Sequence, residues 1–203
     1  MAVKVRYRQE SKDRGLMVLE SPPQIRTIFT YEGVVSLSFP FLIHAITYGI
    51  KGGQYTYYGV YDKGLCVFLA NEPLETMDSM LCYSPTDMER SGLVCTNHGY
   101  DRRPYNTAVE LVTTVLMVWW GMTHQIPSDL FKIWKQLTPK TACKYDWRNA
   151  MNLRTMLEWD ATGTQFGRAY ESYCAGVPHL KIPKDAVLID EDLTDDAALS
   201  GLE

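Results

Sequence analysis

The 203-residue chain has few cysteines and histidines, and their arrangement excludes several classes of protein. Its five cysteines are an odd number, with no Cys-x-x-Cys pair and no apolar leader before them, so we do not expect a disulfide framework. The four histidines show no ligand spacing with the cysteines, and we predict no metal site. Reduced thiols of this kind are typical of a cytoplasmic protein.

Long apolar runs and nucleotide-binding motifs are also missing. The longest apolar run, residues 111–120, is about half of the roughly 20 residues that cross a bilayer, so we predict that the chain does not span a membrane. There is no Gly-rich phosphate loop and no internal repeat, and we expect no small-molecule cofactor. No basic stripe is interleaved with aromatic residues, so nucleic acid is not expected as a partner except through the N-terminal arm.

Hydrophobic residues make up 46% of the chain, which is enough for one domain with a sizeable core. We predict a single α+β domain over residues 1–184 and an acidic tail over residues 185–203. The tail contains no basic residue, whereas the N-terminal end is rich in them, with Lys4, Arg6, Arg8, Lys12 and Arg14. We interpret each end either as a partner-binding arm or as a solvated terminus.

Residues 24–69 have the composition of an antiparallel sheet. Four stretches rich in β-branched and aromatic side chains are residues 25–31, 41–48, 54–60 and 65–69. They are separated by the turn sequences Glu32-Gly33, Lys51-Gly52-Gly53 and Asp62-Lys63-Gly64. We therefore predict a four-stranded antiparallel meander, and Ser21-Pro22-Pro23 ends the strand-like stretch that precedes it.

A long loop and then helices follow the meander. Residues 71–105 are irregular, and loops of this length in a compact domain are usually either functional or disordered. Thr107-Ala108-Val109-Glu110 matches a capping box and predicts a helix over residues 107–121. Apolar residues cover almost every face of it, which predicts a central helix packed on the sheet. Additional C-terminal helices are predicted at residues 128–137 and around 147–159. Strands that precede helices indicate an α+β architecture.

The residues before the central helix resemble the active-site segment of ubiquitin-conjugating enzymes. Gly92-Leu93-Val94-Cys95, Pro104 and the helix from Thr107 occur in the order of that family and with similar spacing. Leu65-Cys66-Val67-Phe68 and Trp119-Trp120 look like its divergent prokaryotic members, such as the PRTRC system protein B family. The resemblance implies a ubiquitin-conjugating-enzyme-like (UBC-like) core over about residues 24–125 and leaves both ends of the chain unexplained. The helices predicted after this core form a helical extension over about residues 126–175.

The same resemblance implies a site around Cys95. This cysteine would carry a ubiquitin-like modifier as a thioester until a substrate lysine attacks the carbonyl. The family stabilises the oxyanion of that step with an asparagine, and this chain has Asp87 at the equivalent position, eight residues before Cys95. An ionised aspartate accepts hydrogen bonds but donates none, so Asn97 or His98 would supply the donor. His98 would also lower the pKa of the thiol or act as a base.

Two functions remain open after this reasoning. The chain is either a UBC-like transferase that uses Cys95, or a non-catalytic UBC-like interaction or structural module, for example in a phage particle or a mobile element. Asp87 and the oppositely charged ends favour the module, because such ends can join neighbouring copies head to tail. Cys95 would then be a small buried core residue. The expected partner is a ubiquitin-like modifier in the first case and further copies of the chain in the second, in the cytoplasm or in a virion.

Overall fold

The computed structural model describes residues 3–57, 64–76, 79–83, 103–147, 164–165, 182–183 and 185–194. The strands in these residues are β1 (Lys4–Glu10), β2 (Arg14–Ser21), β3 (Gln24–Thr30), β4 (Gly33–Phe39), β5 (Phe41–Lys51), β6 (Gln54–Tyr57), β7 (Leu65–Ala70), β8 (Met80–Tyr83), β9 (Thr123–His124), β10 (Thr164–Gln165) and β11 (Glu191–Asp192). The helices are α1 (Ala108–Gly121), α2 (Ser128–Trp134) and α3 (Pro139–Ala142).

The main sheet is antiparallel and is built around β2, β5 and β7. Its strand order is β10-β8-β7-β5-β2-β1-β11, and β6 pairs with the C-terminal part of β5. β2 lies along β5 from the pair Arg14 and Gly49 to the pair Ser21 and Leu42. Side chains on both faces of β2, β5 and β7 are buried, which explains why these strands are nearly continuous apolar runs in the sequence.

Two apolar clusters cover the two faces of this sheet. Leu42 and Val67 belong to the larger cluster, which includes the buried side of α1. Ile43 and Phe68 point to the opposite face and belong to a smaller cluster, which is closed by Leu74 from the loop after β7. The alternation of successive strand residues between two covered faces therefore explains the burial of the central strands.

The hairpin of β3 and β4 lies outside the main sheet. A two-residue turn joins Thr30 to Gly33, whose φ of 116° is rarely adopted by residues with a side chain. β9 pairs in parallel with the end of β3, so the second sheet has the order β4-β3-β9. The hairpin is partly exposed, whereas both faces of β5 are buried. The strand next to β5 must also be buried on both faces, and the hairpin strands are not.

The predicted four-stranded meander is therefore wrong in its pairing. Its first strand, β3, belongs to the second sheet, and the neighbour of β5 is β2, which precedes residue 24. The strands predicted at residues 25–31, 41–48, 54–60 and 65–69 are present as β3, β5, β6 and β7, although residues 58–60 lie outside the described part of the chain. The α+β class with a mostly antiparallel sheet is confirmed, and the UBC-like details remain a prediction.

Helix α1 confirms the predicted capped helix. Thr107 is its N-cap, and the hydroxyl oxygen of Thr107 accepts a hydrogen bond from the amide of Glu110 at 3.0 Å. The predicted capping box is incomplete, because the Glu110 carboxylate accepts from the amide of Asn106 at 3.1 Å. A capping box would use the amide of Thr107 instead. The side of α1 that carries Trp119 is buried on the sheet, whereas Met117 is exposed.

The helix predicted at residues 128–137 is present as α2, which is three residues shorter. α2 begins at Ser128 after Pro127 and ends at Trp134, and the amide of Leu137 then bonds to the carbonyl three residues earlier in a tighter turn. The short helix α3 was not predicted. The helix predicted around residues 147–159 lies outside the described residues, apart from Trp147 itself.

Candidate interaction surfaces

The catalytic residues suggested by the sequence lie outside the part of the chain that the structure describes. Cys95, Asp87, Asn97 and His98 all belong to residues 84–102. Their proximity to one another and their roles therefore stay predictions, and the described residues are the basis for the site analysis below.

The chain that follows residues 84–102 is fixed to the main sheet. Tyr55 and Tyr105 exchange two backbone hydrogen bonds of 2.9 and 2.8 Å. The guanidinium carbon of Arg103 lies 5.3 Å from the centre of the Tyr105 ring, which is a cation–π distance. Because α1 begins shortly afterwards at Ala108, β6 and α1 together determine where this segment rejoins the fold.

A group of aromatic rings fills the space between β5 and the end of α1. The ring centre of Trp119 lies 5.1 Å from that of His44 and 5.2 Å from that of His124. Neither nitrogen of His44 has a hydrogen-bond partner among the described residues, and burial lowers the pKa of His44 to about 3. Because His44 and Trp119 are fully buried, no substrate reaches them, and we assign this group to the core.

The second face of the main sheet contains a largely buried ion pair. A bulge in β1 between Val5 and Tyr7 accommodates Arg6, whose Nε lies 4.0 Å from a carboxylate oxygen of Glu20. The same Glu20 oxygen accepts the amide hydrogen of Leu74 at 2.6 Å, and Arg6 donates to the Leu74 carbonyl. Burial raises the pKa of Glu20, while the Leu74 amide and Arg6 oppose that rise. These contacts hold the loop after β7 against the sheet.

The N-terminal and C-terminal strands of the described chain pair with each other. β11 is antiparallel to β1, and Lys4 stands opposite Asp192. The Lys4 ammonium lies 2.9 Å from the Asp192 carboxylate and 3.5 Å from that of Asp190. The amide of Ile189 also donates to the carbonyl of Arg6 at 2.9 Å. The described part of the predicted acidic tail is therefore an edge strand bound to the basic N-terminal strand.

The β3–β4 hairpin has one face in the core and one in solvent. Ile28 is buried, whereas Ile25, Phe29, Tyr31 and Val34 are 62, 47, 79 and 61% exposed. Phe29 and Val34 are directly opposite each other on the two strands, so their side chains share the outward face. Single exposed apolar residues are ordinary, but four on one hairpin, two of them directly opposite each other, are a concentration of the kind found at interfaces. We call these four residues the hairpin patch.

Beside the hairpin patch, β4 is an edge strand of the second sheet as far as the structure describes it. Its sequence, Gly33–Phe39, has no charged residue and no proline, which are the features that usually prevent an edge from pairing with another chain. The Trp134 indole donates to the Ser38 carbonyl at 2.7 Å, so that carbonyl points away from β3. Backbone groups alternate along a strand, so those of Val34 and Ser36 point to the same side as the Ser38 carbonyl. Trp134 and α3 cover this side at the Ser38 end of β4, whereas Val34 and Ser36 are exposed, and we call the exposed part the open side.

Comparisons with models of protein families, with curated proteins and with solved structures give no significant match for this chain. Within the described residues, no helix is long and apolar enough to cross a lipid bilayer. The same residues contain no group of three histidine, cysteine or acidic side chains that is placed to hold a metal ion. The hairpin patch, the open edge of β4 and the terminal strands are thus the features from which we infer function.

Sequence reasoning missed these surfaces although signals for them are present. Residues 35–39 alternate between apolar and small polar side chains after the predicted turn, which is a strand pattern outside the predicted strands. Residues 4–8 alternate basic and apolar side chains, which is also a strand pattern outside the predicted strands. The exposure of Phe29 has no signal in the sequence, because an apolar strand residue is equally consistent with burial.

Proposed function

We propose that this protein is a non-catalytic interaction module whose copies associate through the hairpin patch and the open edge of β4. The observation that carries the proposal is the pair of exposed side chains, Phe29 and Val34, beside an uncharged edge strand. A twofold axis would bring β4 of one copy antiparallel to β4 of the next and extend the second sheet across the interface. Such an interface uses the same residues on both sides, which is the commonest symmetry of protein dimers.

Both backbone and side chains support this association. The N–H and C=O groups of Val34 and Ser36 would pair with the same groups of the partner strand, as in other cases of strand addition. Fully burying a Val or Phe side chain contributes roughly 1.5–3 kcal/mol to the free energy of association. The loss of translational and rotational freedom opposes association and costs about 4–15 kcal/mol. Because the patch is small, we expect a dissociation constant on the order of micromolar.

Light scattering of the full chain over a range of concentrations tests this proposal. We expect the mass to rise from that of a monomer to that of a dimer. The double variant Phe29→Thr/Val34→Thr removes the apolar side chains but keeps a residue that favours strands, and we expect it to remain monomeric at the concentrations where the natural chain first dimerises. Met117→Gln is the matched control, because Met117 is also an exposed apolar residue, at 68%, but lies on α1.

Each result of this experiment bears on the proposal. If Met117→Gln dimerises like the natural chain while the hairpin variant does not, the hairpin is the interface. A natural chain that stays monomeric at millimolar concentration would contradict the proposal, and so would a hairpin variant that dimerises at the same concentrations as the natural chain.

A second candidate function is the thioester carrier implied by the resemblance to ubiquitin-conjugating enzymes. Its support is the start of α1, which is capped at Thr107, twelve residues after Cys95, where the resemblance places the central helix. In this case Cys95 would carry a ubiquitin-like modifier, and Asn97 or His98 would donate to the oxyanion. The observed strand order differs from the expected meander, and Asp87 replaces the family asparagine, so we rank this function second.

The rate of cysteine alkylation as a function of pH distinguishes the carrier from the module. A carrier predicts rapid labelling at Cys95 that titrates below the ordinary thiol pKa of about 8.5 and disappears in Cys95→Ser. Two other cysteines serve as internal controls, because Cys66 is buried and burial raises the pKa of Cys143. Labelling of Cys95 that is no faster than that of Cys143 would remove the second candidate.

A further inference from the structure

The described C-terminal segment is held on β1 by a short run of backbone contacts. We call residues 186–194, which include β11, the C-terminal strap. The amides of Ile189 and Leu193 donate to the carbonyls of Arg6 and Val3, both at 2.9 Å. The paired register extends over Lys4 with Asp192 and the next residue pair. The strap therefore pairs with the edge of β1 that faces away from β2. Among the described strands, it is the outermost on this side of the main sheet.

Opposite charges face each other across this edge. The Asp190 carboxylate lies 3.2 Å from the guanidinium of Arg6 and 3.5 Å from the ammonium of Lys4, which also contacts Asp192 at 2.9 Å. The Asp190 and Asp192 side chains are 67 and 66% exposed. Exposed ion pairs of this kind stabilise weakly and are screened by salt. They therefore favour an acidic strand over other sequences at this edge, but contribute little to holding the strap on β1.

The apolar residues of the strap pack on both faces of the main sheet. Ile189 and Leu193 contact the cluster that includes α1, and Ala186 and Leu188 contact the cluster on the other face. All four are only partly buried, and Val187 between them is 84% exposed. Because few of its side chains are fully buried, the strap can open at a lower free energy than unfolding of the whole domain requires.

An open strap leaves β1 as a bare edge with basic side chains. The segment that fits this edge is an acidic strand with apolar residues before and after its acidic run, and the strap of another copy has the same sequence and makes the same contacts. We infer that residues 186–194 of one copy exchange onto β1 of a second copy at high concentration, which links copies head to tail by domain swapping. This exchange does not depend on the proposed β4 interface, because β1 and β4 lie in different sheets.

Disulfide trapping between two variants of the full chain tests the exchange. Lys4→Cys is mixed with Asp192→Cys and incubated with a mild oxidant, which accepts the two electrons released when the two thiols become a disulfide. Positions 4 and 192 are directly opposite, so a bond between chains forms efficiently when the strap of one copy lies on β1 of the other. Mass spectrometry of the cross-linked peptides separates this product from disulfides of the natural cysteines.

Two controls keep the test specific. A mixture of Lys4→Cys with Val187→Cys places an exposed thiol in the strap but not opposite position 4. A single chain that carries both Lys4→Cys and Asp192→Cys shows whether the strap lies on its own β1. All variants are made on the Phe29→Thr/Val34→Thr chain as well as the natural one, so association through β4 does not contribute to the yield.

The exchange predicts a 4–192 disulfide between chains, several-fold more abundant than the 4–187 product and increasing with chain concentration. It also predicts the same yield on the Phe29→Thr/Val34→Thr chain. If the doubly substituted chain cross-links within itself while the 4–192 mixture gives no more than the 4–187 mixture, the exchange is wrong and the strap stays on its own chain. If the doubly substituted chain does not cross-link within itself, the strap does not lie on its own β1, and the inference is wrong.

Discussion

The aromatic ring of Tyr48 lies on Gly15 of the neighbouring strand, and a Cβ atom added to Gly15 would stand 2.0 Å from Cε2 of that ring. The two residues are directly opposite on β2 and β5. The hydroxyl of Tyr48 donates to the carboxylate of Glu10 at 2.8 Å, which fixes the position of the ring. The missing side chain at Gly15 is therefore what allows Tyr48 to be fully buried at this end of the sheet.

Gly15→Ala should destabilise the protein. The new methyl group must displace a buried ring that is held at its far end, and overpacking of this kind costs typically 1–3 kcal/mol. We expect a loss of about 2 kcal/mol in the free energy of unfolding, measured by urea denaturation. Gly121→Ala is the control, because a Cβ atom added to Gly121 at the end of α1 would have no neighbour within 4 Å, and a change of less than about 1 kcal/mol is expected. Equal losses in both variants would contradict this account of Gly15.

The buried His44 should make the fold sensitive to acid. A histidine in the unfolded chain takes up a proton near pH 6.5, whereas the pKa of His44 in the folded protein is about 3. The unfolded state therefore binds more protons between these values, and stability is complete above about pH 6.5 and decreases as the pH falls toward 3. We expect His44 to contribute a loss of about 3 kcal/mol between pH 7.5 and pH 4.5.

The variant His44→Leu isolates this contribution. Leucine is apolar and similar in size, so the variant removes the titrating group and two polar nitrogens that lack partners among the described residues. Its free energy of unfolding, measured by urea denaturation at several pH values, should vary less with pH than that of the natural chain. Parallel pH profiles for the two proteins would show that His44 does not stay neutral in the folded state.

Arg6 and Glu20 should behave as a coupled pair. Removal of one partner of a largely buried ion pair leaves the other charge without compensation, and we expect Arg6→Met to lose about 2–4 kcal/mol of stability. In Arg6→Met/Glu20→Gln the side chain at position 20 is neutral and still accepts the amide hydrogen of Leu74. The double variant should therefore recover about 1–2 kcal/mol of that loss in urea denaturation. A double variant that is less stable than Arg6→Met would show that the pair is not coupled.

The sequence predicts the parts of this fold that depend on nearby residues. The N-cap of α1 follows from Thr107 and Glu110, because a side chain and an amide three residues away form the bond. The turn between β5 and β6 follows from Gly52 and Gly53, which have φ values of 59° and 76°. In both cases the local chemistry decides the conformation. The predicted ends of α1 agree with the structure to one residue, whereas β5 continues three residues beyond its predicted end.

Pairing between distant strands was not predictable in the same way. The alternation and composition of the sequence show that β3 and β5 are strands. These signals do not show which strands pair with β3 or with β5. What decides the pairing of β5 is that β2 is also covered on both faces, and this property depends on the complete fold. For the same reason the charges of Lys4 and Asp192 were visible in the sequence, while the register that places them 2.9 Å apart was not.

The central claim is that β4 pairs with β4 of a second copy, and amide hydrogen exchange at Val34 and Ser36 tests it most directly. These amides point to the open side of β4, so they should exchange rapidly in dilute monomer. Strand pairing between copies predicts that their exchange slows as the concentration rises, while the amide of Gly52 in the exposed β5–β6 turn stays fast at every concentration. Exchange at Val34 and Ser36 that does not depend on concentration, up to the millimolar range, would contradict the claim.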